Sequence, residues 1–171
     1  FCTAERQYRM PVLYGSQRTP TAQWTATASG CCILGRQGDG PYITHTVCGR
    51  IVDLGIKDVN NMGAAMAPAA YDTLSALFRE TGTSPAEYDL IVTGDLGELG
   101  HDIVADFFRE DGIELGEKYT DCGLLLYDRE GQDMHAGGSG CGCSAAVLNG
   151  YLLGGLRAGR WKKIVFAPTG A

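Results

Sequence analysis

Residues 143–158 of this 171-residue chain read CSAAVLNGYLLGGLRA, and that segment limits what the remainder can be. Ala146, Gly150, Gly154 and Ala158 recur every four residues, so a helix here carries a stripe of small side chains along one side. Its other faces hold Val147, Leu148, Tyr151, Leu152, Leu153 and Leu156, and a helix apolar nearly all round is a buried one. Glycine costs about 0.8–1 kcal/mol in a helix interior relative to alanine. Gly150, Gly154 and Gly155 together therefore predict a compensating close approach of another backbone, most simply a second helix in a central layer. The alternative is a glycine-rich helix that merely frays. A membrane-spanning helix is disfavoured, because the apolar core is too short and Arg157 and Arg160 follow at once.

The sequence around this helix alternates in character. Ala22, Trp24, Ala26 and Ala28 interleave with Gln23, Thr25, Thr27 and Ser29, which predicts a half-buried strand running into the apolar Cys31 to Leu34. Ile43, His45, Val47, Gly49 and Ile51 repeat the pattern and predict a second strand, with His45 as a core histidine. Residues 53–63 have loop composition. Ala64 to Thr81 reads as a helix: Ala70, Leu74, Leu77 and Phe78 share a face, Pro68 is tolerable in the first turn, and Gly82 suits the position just past the end. Tyr88 to Thr93 is a short, continuous apolar strand of the kind buried on both faces. A turn at Gly94 to Gly97 leads into a helix from Glu98 to Arg109 with Leu99, Ile103 and Phe107 in line. Cys122 to Tyr127 is open between a short strand and a helical turn. Ile164 to Ala167 is a last buried strand. Strands alternating with helices of this length imply α/β architecture with a largely parallel sheet.

Composition narrows the function. Fourteen Lys and Arg against twenty Asp and Glu leave a net charge of −6, with no basic stripe, so a nucleic-acid partner is excluded. Seven cysteines at irregular spacings, several within apolar runs, read as small buried hydrophobes in a reducing, cytosolic-type compartment. The polar Phe1 to Pro20 reads as a surface arm. A start at Phe1-Cys2 and an end at Thr169-Gly170-Ala171, directly after a strand-like run, read as a portion of a longer protein. Alone, such a piece exposes the Ala146/Gly150/Gly154/Ala158 face and is expected to self-associate.

Five stretches carry a resemblance. TAERQYRMP at 3–11, IVDLGIKDVNNMGAAMAPAAYDT at 51–73, YDLIVTGDLGELG at 88–100, YTDCGLLLYD at 119–128 and HAGGSGCGCSA at 135–145 resemble the family of stage V sporulation AD proteins. The likeness implies a thiolase-like fold: a mixed, mostly parallel sheet flanked by helices, with a buried glycine-rich central helix at 143–158. It implies that residues 1–40 are a remnant of an N-terminal half, an arm plus its last strand. Residues 41–171 would be the C-terminal half without its last strand. It further implies a non-enzymatic component that binds dipicolinic acid, with or without calcium, while that acid is loaded into the developing bacterial spore. Its other partners would be further stage V sporulation proteins of one complex, peripheral to the forespore inner membrane, and it could form a homo-oligomer.

Condensing enzymes of that fold need a nucleophilic Cys in the N-terminal half, a His in an HQAN-type motif, and a second His or Asn that polarises the thioester carbonyl. On the resemblance, Gly94-Asp95 stands where the His would sit and Gly142 where the Asn would sit. Neither glycine nor an ionised carboxylate donates the required hydrogen bond, and Asp95 could do so only when protonated. No catalytic residue and no cofactor is therefore assigned. The alternative is an acyl-transferring beta-ketoacyl synthase or thiolase-like enzyme.

The candidate binding residues are Asp95, His101, Gly138, Ser139, Gly140 and Cys141. Asp95 to Glu98 has capping-box spacing, with Asp95 as the N-cap; Asp95 also follows a parallel strand, where ligand crevices open in α/β sheets. Gly137 to Cys143 leads into a helix start, where N–H groups and the helix dipole attract carboxylates. The competing reading is that these glycines only permit close packing. His101, in the first turn of its helix, is a weaker candidate near the same place. Cys141, Cys143 and His135 could offer three zinc ligands, but the Cys-x-Cys spacing is not that of a standard zinc pair, and no metal is assigned.

Overall fold

The computed structural model describes residues 20–58 and 60–169. The expected arm at Phe1 to Pro20 lies outside them except for Pro20.

The first helix, α1 (Met62–Thr81), starts two residues before the sequence expectation. The Asn61 side chain accepts from the Ala64 N–H at 3.1 Å, and Gly82, at φ 65°, closes the helix by donating its N–H to the Phe78 carbonyl. Pro68 consequently lies in the second turn. Then come β2 (Leu90–Thr93), α2 (Gly97–Glu110), β3 (Tyr119–Asp121) and the short α3 (Cys122–Leu126). The segment left open at 122–127 is thus a helical turn, and β3 before it was not expected. A helix over 143–157, here α4, runs as Cys143–Val147, a π turn at Leu148–Leu152, and Leu153–Arg157. The last strand, β5 (Ile164–Ala167), falls where the sequence puts it.

The order β3-β2-β5 forms a wholly parallel sheet. Its register sets Asp121, Thr93 and Ala167 side by side at the carboxyl edge. Alternate side chains feed two cores. Ile91, Tyr119, Val165 and Ala167 pack beneath Met66, Ala70, Leu74 and Phe78 of α1 and Val104 and Phe108 of α2. Val92, with Leu90, Ile164 and Phe166, packs against Cys122, Cys143, Val147 and Leu152 on the opposite face. The buried stripe of α2 is Gly97, Gly100, Val104 and Phe108, one residue round from the expected Leu99, Ile103 and Phe107. The cause is Gly100, which lies against Gly63 and draws α2 close onto α1.

Both alternating N-terminal segments depart from expectation. Only Trp24–Thr25 forms a strand, β1, pairing in parallel with β4 (Gly138–Ser139). The pairing stops because Gly140, at φ 101°, turns the partner chain away. Residues 28–32 then follow the start of α4, where a side chain at Gly30 would strike the Ala145 carbonyl and the Asn149 amide. Residues 43–51 form no strand, and His45 is exposed rather than in a core. A strand needs a partner edge, and among the described residues none runs beside this one. It is held instead at Gly49 against Thr73 and by an Arg50–Asp72 pair, with Nε to Oδ2 at 2.8 Å.

The small-residue stripe of α4 lies open in this chain, as expected of the piece alone. Gly150 and Gly154 have open space where a side chain would stand, and only Gly155 is approached closely, by the Trp161 ring. The helix buries Cys143, Val147, Leu152 and Gly155 and presents its small face outward, so in this chain it is half buried. The cysteines divide likewise: Cys122 and Cys143 are buried, whereas Cys31, Cys32, Cys48 and Cys141 are exposed.

Candidate functional site

The carboxyl ends of β2 and β5 meet the first turn of α4. Gly94 follows β2 because a side chain there would come within 2.8 Å of the Thr169 nitrogen and 3.2 Å of Ser144 Oγ. The chain then turns through Asp95 and Leu96 into α2.

Two buried carboxylates organise this turn. Asp121, fully buried at the end of β3, accepts at Oδ2 from Thr93 Oγ1 (2.8 Å) and the Leu96 N–H (3.2 Å). Its Oδ1 accepts from the N–H groups of Gly97 (3.1 Å) and Gly123 (2.9 Å). One side chain thereby ties the ends of two strands to the starts of α2 and α3. Asp95 lies 9% exposed, and its Oδ2 accepts from the Ser139 hydroxyl at 3.0 Å and the Gly140 N–H at 2.9 Å. Its backbone carbonyl accepts from Gln23 Nε2 at 2.8 Å, which brings the β1 segment to the same place.

Burial is the larger influence on both acids and raises their proton affinity above the ordinary carboxyl range, partly opposed by these hydrogen bonds. Among the described residues neither acid has a cationic partner. The adjacent thiols respond to burial and to both carboxylates: Cys143 is pushed up to about 12, and Cys122 is raised further.

The capping-box expectation for Asp95 does not hold. Leu96 occupies the cap position of α2, without a side-chain cap bond, and Glu98 turns away to pair with Arg129 at 2.8 Å. Asp121 supplies the cap instead. Of the candidate residues, Asp95, Ser139 and Gly140 are brought together, and Gly138 joins them through its pairing with Trp24. Gly138 and Ser139 are buried, Gly140 is half-buried, and Cys141 is exposed on the lip leading into α4. His101 stacks on the Tyr119 ring (centroids 4.4 Å apart) and bonds Asp102 at 2.9 Å, on the α2 side of the sheet. His135 contacts Asp133 at 3.1 Å. Among the described residues no three His, Cys, Asp or Glu side chains gather as a metal ion would need. Sequence reasoning missed Asp121, although an acid two residues before Gly123, ahead of a short helical turn, is a cap signal.

A parallel sheet covered on both faces, with its strand ends and a helix start closing on a buried carboxylate, defines an α/β protein. The chain belongs to the stage V sporulation protein AD (SpoVAD) family, whose model matches residues 1–171. It is 44% identical over 169 residues to stage V sporulation protein AD of Bacillus subtilis (strain 168), a match covering 99% of this chain and 50% of that relative. The chain thus spans about half the length of the curated relative it matches. Family membership places it in sporulation. No helix among the described residues is long and apolar enough to cross a membrane.

Proposed function

We propose that this chain is the C-terminal part of a thiolase-like, non-enzymatic protein that binds dipicolinic acid and serves its loading into the developing bacterial spore. Gly94-Asp95 after β2 carries this reading. On the thiolase-like alignment a condensing enzyme has its histidine here, whereas this chain has a carboxylate accepting from Ser139 and Gly140. Cys143, a buried thiol that feels the Asp95 charge, is pushed up to about 12, which makes it a poor nucleophile at neutral pH. The half-exposed lip at Gly140 and Cys141, ahead of the α4 start, is where the ligand's carboxylates would meet N–H groups and the helix dipole. Asp95 tolerates an anion there when it is protonated, which its burial favours, or when calcium accompanies the ligand. Partners would be other stage V sporulation proteins, in a complex peripheral to the forespore inner membrane and in a reducing compartment.

Isothermal titration of the full-length protein with dipicolinate, against benzoate as control, tests the binding. Saturable heat with dipicolinate and none with benzoate is expected; equal or absent heats reject it. Incubation with acyl-CoA followed by intact-mass spectrometry tests the enzyme alternative, since a covalent acyl-cysteine adduct would reject the non-enzymatic reading.

A further inference from the structure

The helix cap that local sequence assigns to Asp95 is supplied by Asp121, which keeps its own cap on α3 as well. Asp95 stands two residues before α2 and has the spacing of its cap, yet its carboxylate points to Ser139 and Gly140. Asp121, 24 residues from Gly97, takes the first N–H groups of α2 and at the same time caps α3 through Gly123. The four donors, Thr93 Oγ1 and the N–H groups of Leu96, Gly97 and Gly123, occupy both of its oxygens, and the side chain is 0% exposed. There is no room for an alternative at its flank, because a side chain at Gly123 would strike the Gly138 carbonyl. If Asp121 released α2, the acceptor that cap spacing offers to those N–H groups is Asp95, two residues before the helix, which would then leave Ser139 and Gly140.

We propose that Asp121 is the positioning residue of this site: by capping α2 and α3 from one buried carboxylate it keeps Asp95 off the helix and directed at the Ser139–Gly140 lip. The claim about ligand affinity rests on the dipicolinate reading given above; the claim about Asp95 does not.

The test uses the full-length protein, following the Asp95 carboxyl carbon by NMR through a pH titration and dipicolinate binding by calorimetry. In Asp121→Ala the Asp95 midpoint falls, as its carboxylate leaves its buried seat for the N-terminus of α2. Dipicolinate affinity drops by about tenfold or more, because the protonated or calcium-bound Asp95 carboxyl that meets the ligand at the lip is withdrawn. Asp121→Asn keeps an acceptor for Gly97 and Gly123 but not for Leu96, and gives intermediate values in both measurements. A role in stability or charge alone would leave the Gly140 N–H bonded to Asp95, so its amide shift would keep following the Asp95 titration. A folded Asp121→Ala protein with an unmoved Asp95 midpoint overturns the proposal. If that variant does not fold, an unmoved midpoint in Asp121→Asn overturns it equally. Should the unsubstituted protein not bind dipicolinate, the binding reading fails, while the Asp95 titration still decides the role of Asp121.

Discussion

At the scale of single residues, the electrostatics of Asp95 give a direct prediction. Burial raises the proton affinity of its carboxyl in the folded chain above that in the unfolded chain. Between those two values the folded state binds more protons, so stability falls as pH rises. The contribution is fully present below the ordinary carboxyl range and is lost as pH climbs through the folded value. Asp95→Asn has no proton to lose and keeps an oxygen for Ser139 and Gly140. Thermal melts from pH 8 down to pH 4 should therefore show the unsubstituted protein gaining on Asp95→Asn as acid is added; parallel curves would mean that Asp95 is ionised throughout at no cost. This residue also shows what a local pattern cannot see. Asp95-x-x-Glu98 satisfies the capping-box rule, but the rule is blind to a carboxylate arriving from β3, and it is blind to Arg129, which draws Glu98 away.

At the scale of elements, glycines sort by what stands opposite them. A side chain at Gly63 would strike the Leu96 carbonyl and lie 2.8 Å from the Gly100 nitrogen, backbone that cannot move without separating α1 from α2. Gly154 faces open space in a helix. Gly63→Ala should therefore destabilise the chain by about 1–3 kcal/mol, overpacking outweighing helix propensity. Gly154→Ala should stabilise it by up to about 1 kcal/mol, since propensity is then the only term. Denaturant unfolding of both variants checks the opposite signs; a loss at Gly154 would mean that another surface covers it in solution. The same distinction explains what was legible. The bodies of α1, α2 and α4, and the strands β2 and β5, announce themselves because their signals are periodicity or continuous apolarity within one segment. The alternation at 22–29 and 43–51 is as regular, but a strand exists only with an edge to pair. β4 offers two residues to the first segment, and no described strand borders the second. The stripe on α4 is legible from spacing as small and, in the 171-residue chain, as open, whereas spacing says nothing about what would lie opposite it in a longer chain.

At the scale of the whole molecule, the two cores flanking the sheet account for the buried surface, while apolar exposure is concentrated elsewhere. Ile33 and Ile51 are both 97% exposed, and Leu34, Tyr42, Ile43 and Leu54 lie between 63% and 76%. All sit on the stretch between β1 and α1. Burying one such side chain is worth about 1.5–3 kcal/mol, so leaving six in water invites association. A patch of this size on an alternating, unpaired backbone also offers free N–H and C=O groups to any strand that arrives. The α4 stripe contributes less, since alanine and glycine present little apolar area. The expected self-association therefore belongs to this stretch rather than to the helix. Sedimentation velocity on the 171-residue chain should show a weight-average mass that rises with concentration. Ile33→Lys with Ile51→Lys should return it towards the monomer, whereas Gly150→Ala with Gly154→Ala should leave it associating. A compact monomer at high concentration would mean that the stretch between β1 and α1 folds back onto the rest of the chain. In a longer chain whose additional length covers this stretch, the lysine pair should act in the opposite sense and lower the melting temperature, because the charges would then be buried where isoleucine had packed.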